Sequence, residues 1–465
     1  MKVTLLGHAS VLVEMDGARC LMDPVFQDPF EDTAVVSCPR RDVHVEKLPP
    51  IDVLVISHAH LDHFDIPSLA RIRRDAQVLC PKDQTIVYAL QQLGFQKINA
   101  AEPSTRLALG RHELLTTHSN VTNVIEFGVV FKDRSGVFWN QVDTVVAPET
   151  CALALEAVQK VDLLFAMYAS QNFGFFESRP VAFPYATHEM NLRNVLAIRP
   201  VMAVPGSAGF RFEGPGMDWC NSFLFPMARE RFIEDLSKIA PHIQTRIANP
   251  GDTFEISEGS VNHTPASSPY ATTIADDTAL LRFDSTRALP ALRDVNPDGY
   301  STEHLSKAVE ECMDGFLRFV DSAFAGGDPV VDEYKRFGVG YAVAIVFPDD
   351  DERWYRLDFS GAELRIETGA PAANRAVPPD ALHRIVASAL ASRAAHDKSY
   401  FYLRAFSRKT CNVYALSADN GNVCVQPKEL RDLLEYYLLR KAPGAELAVK
   451  RWLDLQLKPY LRAKA

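Results

Sequence analysis

Three imidazoles and a carboxylate fall within six residues in Ser57-His58-Ala59-His60-Leu61-Asp62-His63. The apolar run Ile51–Ile56 that precedes them has the length and composition of a buried strand, and a helix is expected over Asp65–Arg74. His58 and His60 are two residues apart, so on an extended strand end they point the same way. Asp62 and His63 fall on the turn into the helix, where they can face a second ion. Neutral imidazole nitrogens with a carboxylate suit a divalent ion such as Zn(II) or Fe(II). A histidine cluster on a solvated face would not be framed by a buried strand and a helix, and that context favours a metal site.

Here the sequence resembles the metallo-β-lactamase superfamily, whose signature is His-x-His-x-Asp-His. The resemblance covers about residues 1–257 and implies an αββα sandwich that binds two divalent metal ions. Asp23, in Leu21-Met22-Asp23-Pro24, matches the family's structural aspartate. His118, at the end of Leu114-Leu115-Thr116-Thr117-His118, matches the third ligand motif, and Asp143 matches the carboxylate that bridges two metals. The resemblance thus implies one ion on His58, His60, His118 and Asp143, and another on Asp62, His63 and Asp143. The chain departs from the family where a late Val-Pro-x-His phrase is usual, reading Val204-Pro205-Gly206-Ser207. His188, at the start of the preceding helix, is the expected replacement, either as a second-site ligand or as a substrate-facing acid/base. Asp62 and His188 are therefore the candidate catalytic residues, with Glu189 and Glu213 as weaker candidates.

Two reactions suit such a centre. Two zinc ions would support hydrolysis of a phosphoester, lactone or amide. Two irons would support an O2-dependent oxygenase, with electrons from a separate protein because the Cys-x-His pairs of a Rieske domain are absent from the sequence. The missing late histidine and a looser resemblance tip this reading toward the oxygenase. Asn140–Asp143, Pro205–Glu213 and Asn249–Thr253 resemble CMP-N-acetylneuraminate hydroxylase-like proteins, and Val161–Tyr168 resembles di-iron β-hydroxylases of carrier-bound amino acids. A non-catalytic binding protein would predict lost ligands in the first motif, which is intact. The aromatic segment 171–176, Gln-Asn-Phe-Gly-Phe-Phe, is expected to line an apolar pocket beside the metals.

The elements that must position these groups follow from the patterning. Strands and helices alternate through residues 1–257, the mark of helix-covered sheets. Residues 258–276 are rich in Ser, Thr, Pro and Asn and read as a linker. Residues 277–465 read as a separate α+β domain on a largely antiparallel sheet. Its long amphipathic helix spans 302–324, helices are expected at 379–391, 427–440 and 444–462, and a strand around 400–406. The runs Tyr341–Phe347, Trp354–Phe359 and Glu363–Glu367 resemble a sterol-carrier-like domain, which implies an apolar tunnel or a dimerisation surface and hence a homodimer as one partner state.

The chain has 465 residues, with 49 Lys and Arg against 59 Asp and Glu, a formal net charge of −10. That balance argues against a nucleic-acid or anionic-membrane partner and leaves a small-molecule substrate. No apolar run approaches the ~20 residues of a membrane span. Eight cysteines without a CxxC pair read as reduced, packed thiols, and the expectation is a cytoplasmic protein.

Overall fold

A computed structural model describes the chain apart from residues 32, 110–111, 122–123, 171, 173–182, 208, 225–226, 285, 287–288, 370–379, 397–399, 420–421, 440–445 and 462–465. Nearly all of the aromatic segment 171–176 therefore lies outside the described residues.

Two sheets face each other. The first has eight strands in the order Ser260–Thr264, Thr253–Ser257, Lys2–Gly7, Ser10–Met15, Ala18–Met22, Val53–Val55, Gln77–Pro81 and Lys97–Ala101. The second has seven, in the order Gln244–Thr245, Met202–Gly206, Leu163–Met167, Gly136–Asn140, Phe127–Asp133, His112–His118 and Arg106–Leu109. Side-chain alternation sorts the apolar residues into layers. Val11, Val13, Cys20, Met22, Val53 and Val55 face Phe127, Val129, Phe131, Phe138, Leu163 and Phe165 between the sheets. Leu12, Leu21, Leu54 and Val78 point outward, against Ile86, Ala89 and Leu90 of the Gln84–Leu93 helix. Val130, Trp139 and Leu164 face outward from the second sheet, against helices Pro148–Val158, Tyr185–Ile198 and Arg229–Ile239. The result is the αββα metallo-β-lactamase fold.

Topology decides where the site can be. Ala18–Met22, Val53–Val55 and Gln77–Pro81 run parallel, as do Gly136–Asn140, Leu163–Met167 and Met202–Gly206. Lys2–Gly7 is antiparallel to Ser10–Met15, which is antiparallel to Ala18–Met22, so the first strand shares their direction. The residues that follow each of these strands collect at one edge of the sandwich, where open α/β sheets bind ligands.

The stretch 258–276 is not a linker. Ser260–Thr264 forms a hairpin with Thr253–Ser257, and Ala271–Ala275 pairs with Arg40–Val43. Polar composition misleads here because Ser260–Thr264 is an edge strand with Val261 as its single buried residue.

Beyond it, a five-stranded sheet runs in the order Arg365–Thr368, Glu352–Asp358, Gly340–Val346, Ala381–Val386 and Ser407–Cys411. The sheet is largely antiparallel, as expected, with one parallel pair, Gly340–Val346 beside Ala381–Val386. Ala381–Val386 is a strand where a helix is expected, and the helix begins at Ala387. Tyr400–Ala405 is a helix where a strand is expected. The long helix spans Thr302–Gly326, with Ser301 accepting the His304 N–H at its start.

The two halves share a core. Val25, Phe30, Phe210, Phe212 and Trp219 belong to one buried cluster with Leu305, Phe316, Tyr341 and Leu390. Phe401 lies 5.5 Å from Phe212 and 6.0 Å from Phe210, ring centre to ring centre. Leu453 and Leu457 of the Glu446–Leu457 helix join the layer outside the first sheet. The whole chain is thus expected to unfold in one calorimetric transition, and Phe212→Ala to destabilise it by about 3–5 kcal/mol. Two separate transitions would contradict the shared core. Among the described residues no helix is long and apolar enough to cross a membrane.

Candidate metal centre

His58 follows the Val53–Val55 strand and is fully buried. Its Nδ1 lies 2.9 Å from Ser57 Oγ and its Nε2 lies 2.9 Å from His60 Nδ1. Asp62 and His63 occupy the turn before the Ile66–Leu69 helix, which Asp65 caps by accepting the Ser68 N–H. His63 Nε2 stands 3.2 Å from Asp143 Oδ2 and 3.6 Å from Asp62 Oδ2.

Asp23, wholly buried, ties this loop down. Its carboxylate accepts from Ser57 N at 2.7 Å and Ser57 Oγ at 2.6 Å, and sits 2.9 Å from His63 Nδ1. With Nδ1 committed to Asp23, His63 turns its Nε2 toward Asp62 and Asp143. An outer carboxylate–histidine contact of this kind fixes the tautomer of a metal-binding imidazole. Asp143 is fastened from below: Asn140 Oδ1 accepts the Val142 N–H, the Thr144 hydroxyl donates to Gln141 O, and the Ser207 hydroxyl meets the Asp143 carboxylate.

Backbone strain concentrates at the same edge. His8, Asp23, Val142 and Ser207 have φ of 47°, 44°, 47° and 65°. Val142 is β-branched and belongs to the inter-sheet core, so its left-handed backbone is held there by packing.

Charge follows from burial and neighbours. Burial, with His63 and His60 alongside, holds His58 well below the ordinary imidazole value, in the neutral form a cation requires. Burial also works against charge on His63, but Asp143 and Asp62 outweigh it and lift that imidazole. The same burial would raise Asp62 and Asp143, yet the imidazoles, His63 foremost, hold both well below the usual carboxylate range. Asp62 is buried and Asp143 half-buried; carboxylates so placed call for a positive partner, and the donor set is that of a divalent cation. The donor atoms group as His58–His60–Asp62, His58–His63–Asp143 and His8–Asp62–His63, each within 4.8 Å.

Not every expected residue joins them. His118 closes its strand on the inter-sheet face, in step with Leu114, but is exposed and absent from these groups. His188 is placed elsewhere: its Nε2 lies 3.1 Å from Asp235 on the neighbouring helix, and its ring packs near Phe232 and Phe183. A helix-to-helix contact with Asp235 accounts for it, and it stands in none of the donor groups. Glu189 pairs with Arg193, and Glu213 with Arg40 and Arg211, so both belong to ion pairs with arginine.

Sequence reasoning missed His8 and Glu126. His8 follows the first strand, and its signal is an imidazole interrupting the apolar run Val3–Val13. Gly7 sets it there, since at φ 124° any Cβ would collide with Arg41, whose guanidinium donates to Leu6 O and Val25 O.

Glu126 is 6 % exposed and accepts from the Ser119 hydroxyl. Burial, reinforced by Asp143, pushes its carboxyl up to about 7, against the Ser119 hydrogen bond that lowers it. A carboxyl raised on folding contributes stability that is fully present below its unfolded value of 4.5 and is lost as pH climbs to about 7. In chelator-treated protein, Glu126→Gln should therefore gain stability relative to wild type between pH 5 and pH 8, in paired thermal melts. A pH-independent difference would contradict a buried, protonated Glu126.

Residues 2–136 match the family described as the β-lactamase superfamily domain. The N-terminal part of the chain therefore carries a domain of that superfamily, in agreement with the sandwich. A stretch of 73 residues is 40% identical to N-acyl-phosphatidylethanolamine-hydrolyzing phospholipase D 1 of Caenorhabditis elegans, covering 15% of this chain and 20% of that protein. A UPF0173 metal-dependent hydrolase of Ignicoccus hospitalis is 29% identical over 171 residues, 35% of this chain and 70% of its own. Uncharacterized protein Rv0906 of Mycobacterium tuberculosis is 40% identical over 76 residues, so the matched stretch spans only 20% of that relative. Among solved structures, isothiocyanate hydrolase from Delia radicum gut bacteria is similar at 15% identity and a TM-score of 0.40, over 55% of this chain and 99% of that one. CmlA, a diiron β-hydroxylase from Streptomyces venezuelae, is similar at 20% identity and a TM-score of 0.34, over 45% of each chain.

Proposed function

We propose that the chain is a two-metal hydrolase acting on a small phosphoester, lactone or amide, with zinc as the resident metal. The observation that carries this reading is the cluster of buried His58, Asp62 and His63 with half-buried Asp143 and exposed His60 at one edge of the sandwich, with His58 held neutral. Two divalent ions bound there would supply Lewis acidity that brings the pKa of water toward neutrality. The chain's own groups do the rest. Asp143, grouped with His58 and His63, would be the carboxylate offered to both ions. Asp23 and Ser57 orient His63 and His58, and the Ser207 hydroxyl fixes the Asp143 carboxylate.

The oxygenase reading leans on a coordination position left open by the missing late histidine. An imidazole, His8, stands beside Asp62 and His63, so the gap at Ser207 no longer argues for that reading. The hydrolase names of the C. elegans and I. hospitalis relatives support the same choice. Zinc-loaded protein should hydrolyse at least one of an activated phosphodiester, a lactone and an anilide, at equal rates with and without oxygen. Substrate turnover that consumes oxygen, or no hydrolysis across the panel, would overturn the proposal.

A further inference from the structure

We propose that His8 is a direct ligand of the second ion, supplying the nitrogen that no late histidine provides. The inference rests on the two-ion reading and concerns which residues complete it.

His8 reaches the site from the end of the first strand, 55 positions away from His63 in the chain. Its side chain is fully buried. Its Nε2 lies 3.1 Å from Asp62 Oδ2 and 3.3 Å from His63 Nε2. Two further donor spacings close the figure: His63 Nε2 to Asp143 Oδ2 at 3.2 Å, and His63 Nε2 to Asp62 Oδ2 at 3.6 Å. Nitrogen and oxygen ligands about 2.0–2.1 Å from a tetrahedral ion stand about 3.3–3.4 Å from one another. The three spacings among His8, Asp62 and His63 scatter around that value, so these donors have the dimensions of one face of a tetrahedral shell, with Asp143 beside His63.

The hydrogen-bond inventory points the same way. His63 Nδ1 is used by Asp23, so Nε2 is the nitrogen left for an ion, and it faces His8 Nε2 and two carboxylates. His8 Nδ1 is buried without a hydrogen-bond partner among the described residues. An imidazole kept only to donate to Asp62 would hold its ring in place equally well, and metal content separates the two roles.

The test uses full-length chelator-stripped protein titrated with Zn(II) against a competing chelator, and with Co(II) for its visible spectrum. His8→Gly suits the left-handed backbone at this position and leaves room for a free imidazole. His8→Asn, also at ease in that conformation, controls for the opened space. Wild type should bind two equivalents. Each variant should keep one at wild-type affinity and bind the second roughly 100-fold more weakly or worse, since even an outer-sphere partner is worth 10–100-fold. Added imidazole should restore the second equivalent, and the wild-type Co(II) spectrum, in His8→Gly alone. Two equivalents at wild-type affinity with an unchanged Co(II) spectrum in both variants would overturn the role of His8. Fewer than two equivalents in wild type would overturn the two-ion reading itself.

Discussion

Asp143→Ala is expected to cut hydrolytic turnover by roughly 10³-fold or more and to lower bound metal at both positions, because one carboxylate is asked to serve two ions. The carboxylate lies 3.2 Å from His63 Nε2 and shares a donor group with His58. Its loss also leaves His63 with Asp62 alone as a carboxylate partner on that side, so the raised affinity of His63 for a proton should fall in the metal-free variant. Metal content by mass spectrometry and turnover at matched metal concentration check this. Retention of two equivalents would show that Asp143 does not bridge.

Asp23→Ala carries the second large effect, mainly on stability. Asp23 is wholly buried and accepts the Ser57 N–H and hydroxyl while holding His63 Nδ1. Its removal leaves the buried Ser57 N–H unpaired, takes the acceptor from the Ser57 hydroxyl, and frees the His63 ring to change tautomer. The expected cost is about 3 kcal/mol, from the burial of unsatisfied donors. Metal affinity should drop by roughly 10–100-fold, the usual size for an outer-sphere carboxylate. Asp23→Asn preserves the shape and the left-handed backbone at φ 44°, and should recover most of the stability but not the affinity. Equal affinities in wild type and Asp23→Asn would make Asp23 structural only.

Parts of the site are open in the sequence because they are contiguous. His58, His60, Asp62 and His63 share one strand end, and Asp23 and Asp143 each follow an apolar strand at the same edge. His8 stays hidden because it arrives by topology. Only after the first three strands are paired does the end of Lys2–Gly7 fall beside Asp62. His188 misleads for the reverse reason: a histidine near a helix start has many uses, and here Asp235 on the adjacent helix satisfies it. The family pattern puts His118 on the right strand and the right face, but in the structure it remains exposed and outside the donor groups. Composition misjudges 258–276, since a polar edge hairpin and a linker draw on the same residues. In the later part the stretch Ala381–Val386, Ala-Leu-His-Arg-Ile-Val, fits a strand as well as a helix, and pairing with Gly340–Val346 decides it.

Anomalous scattering at the zinc absorption edge, from crystals of zinc-loaded full-length protein, tests the central claim most directly. The account predicts two peaks about 3.5–4 Å apart. One should lie among His58, His60 and Asp143, the other among His8, Asp62, His63 and Asp143. A single peak, or two peaks away from Asp62 and Asp143, would contradict it.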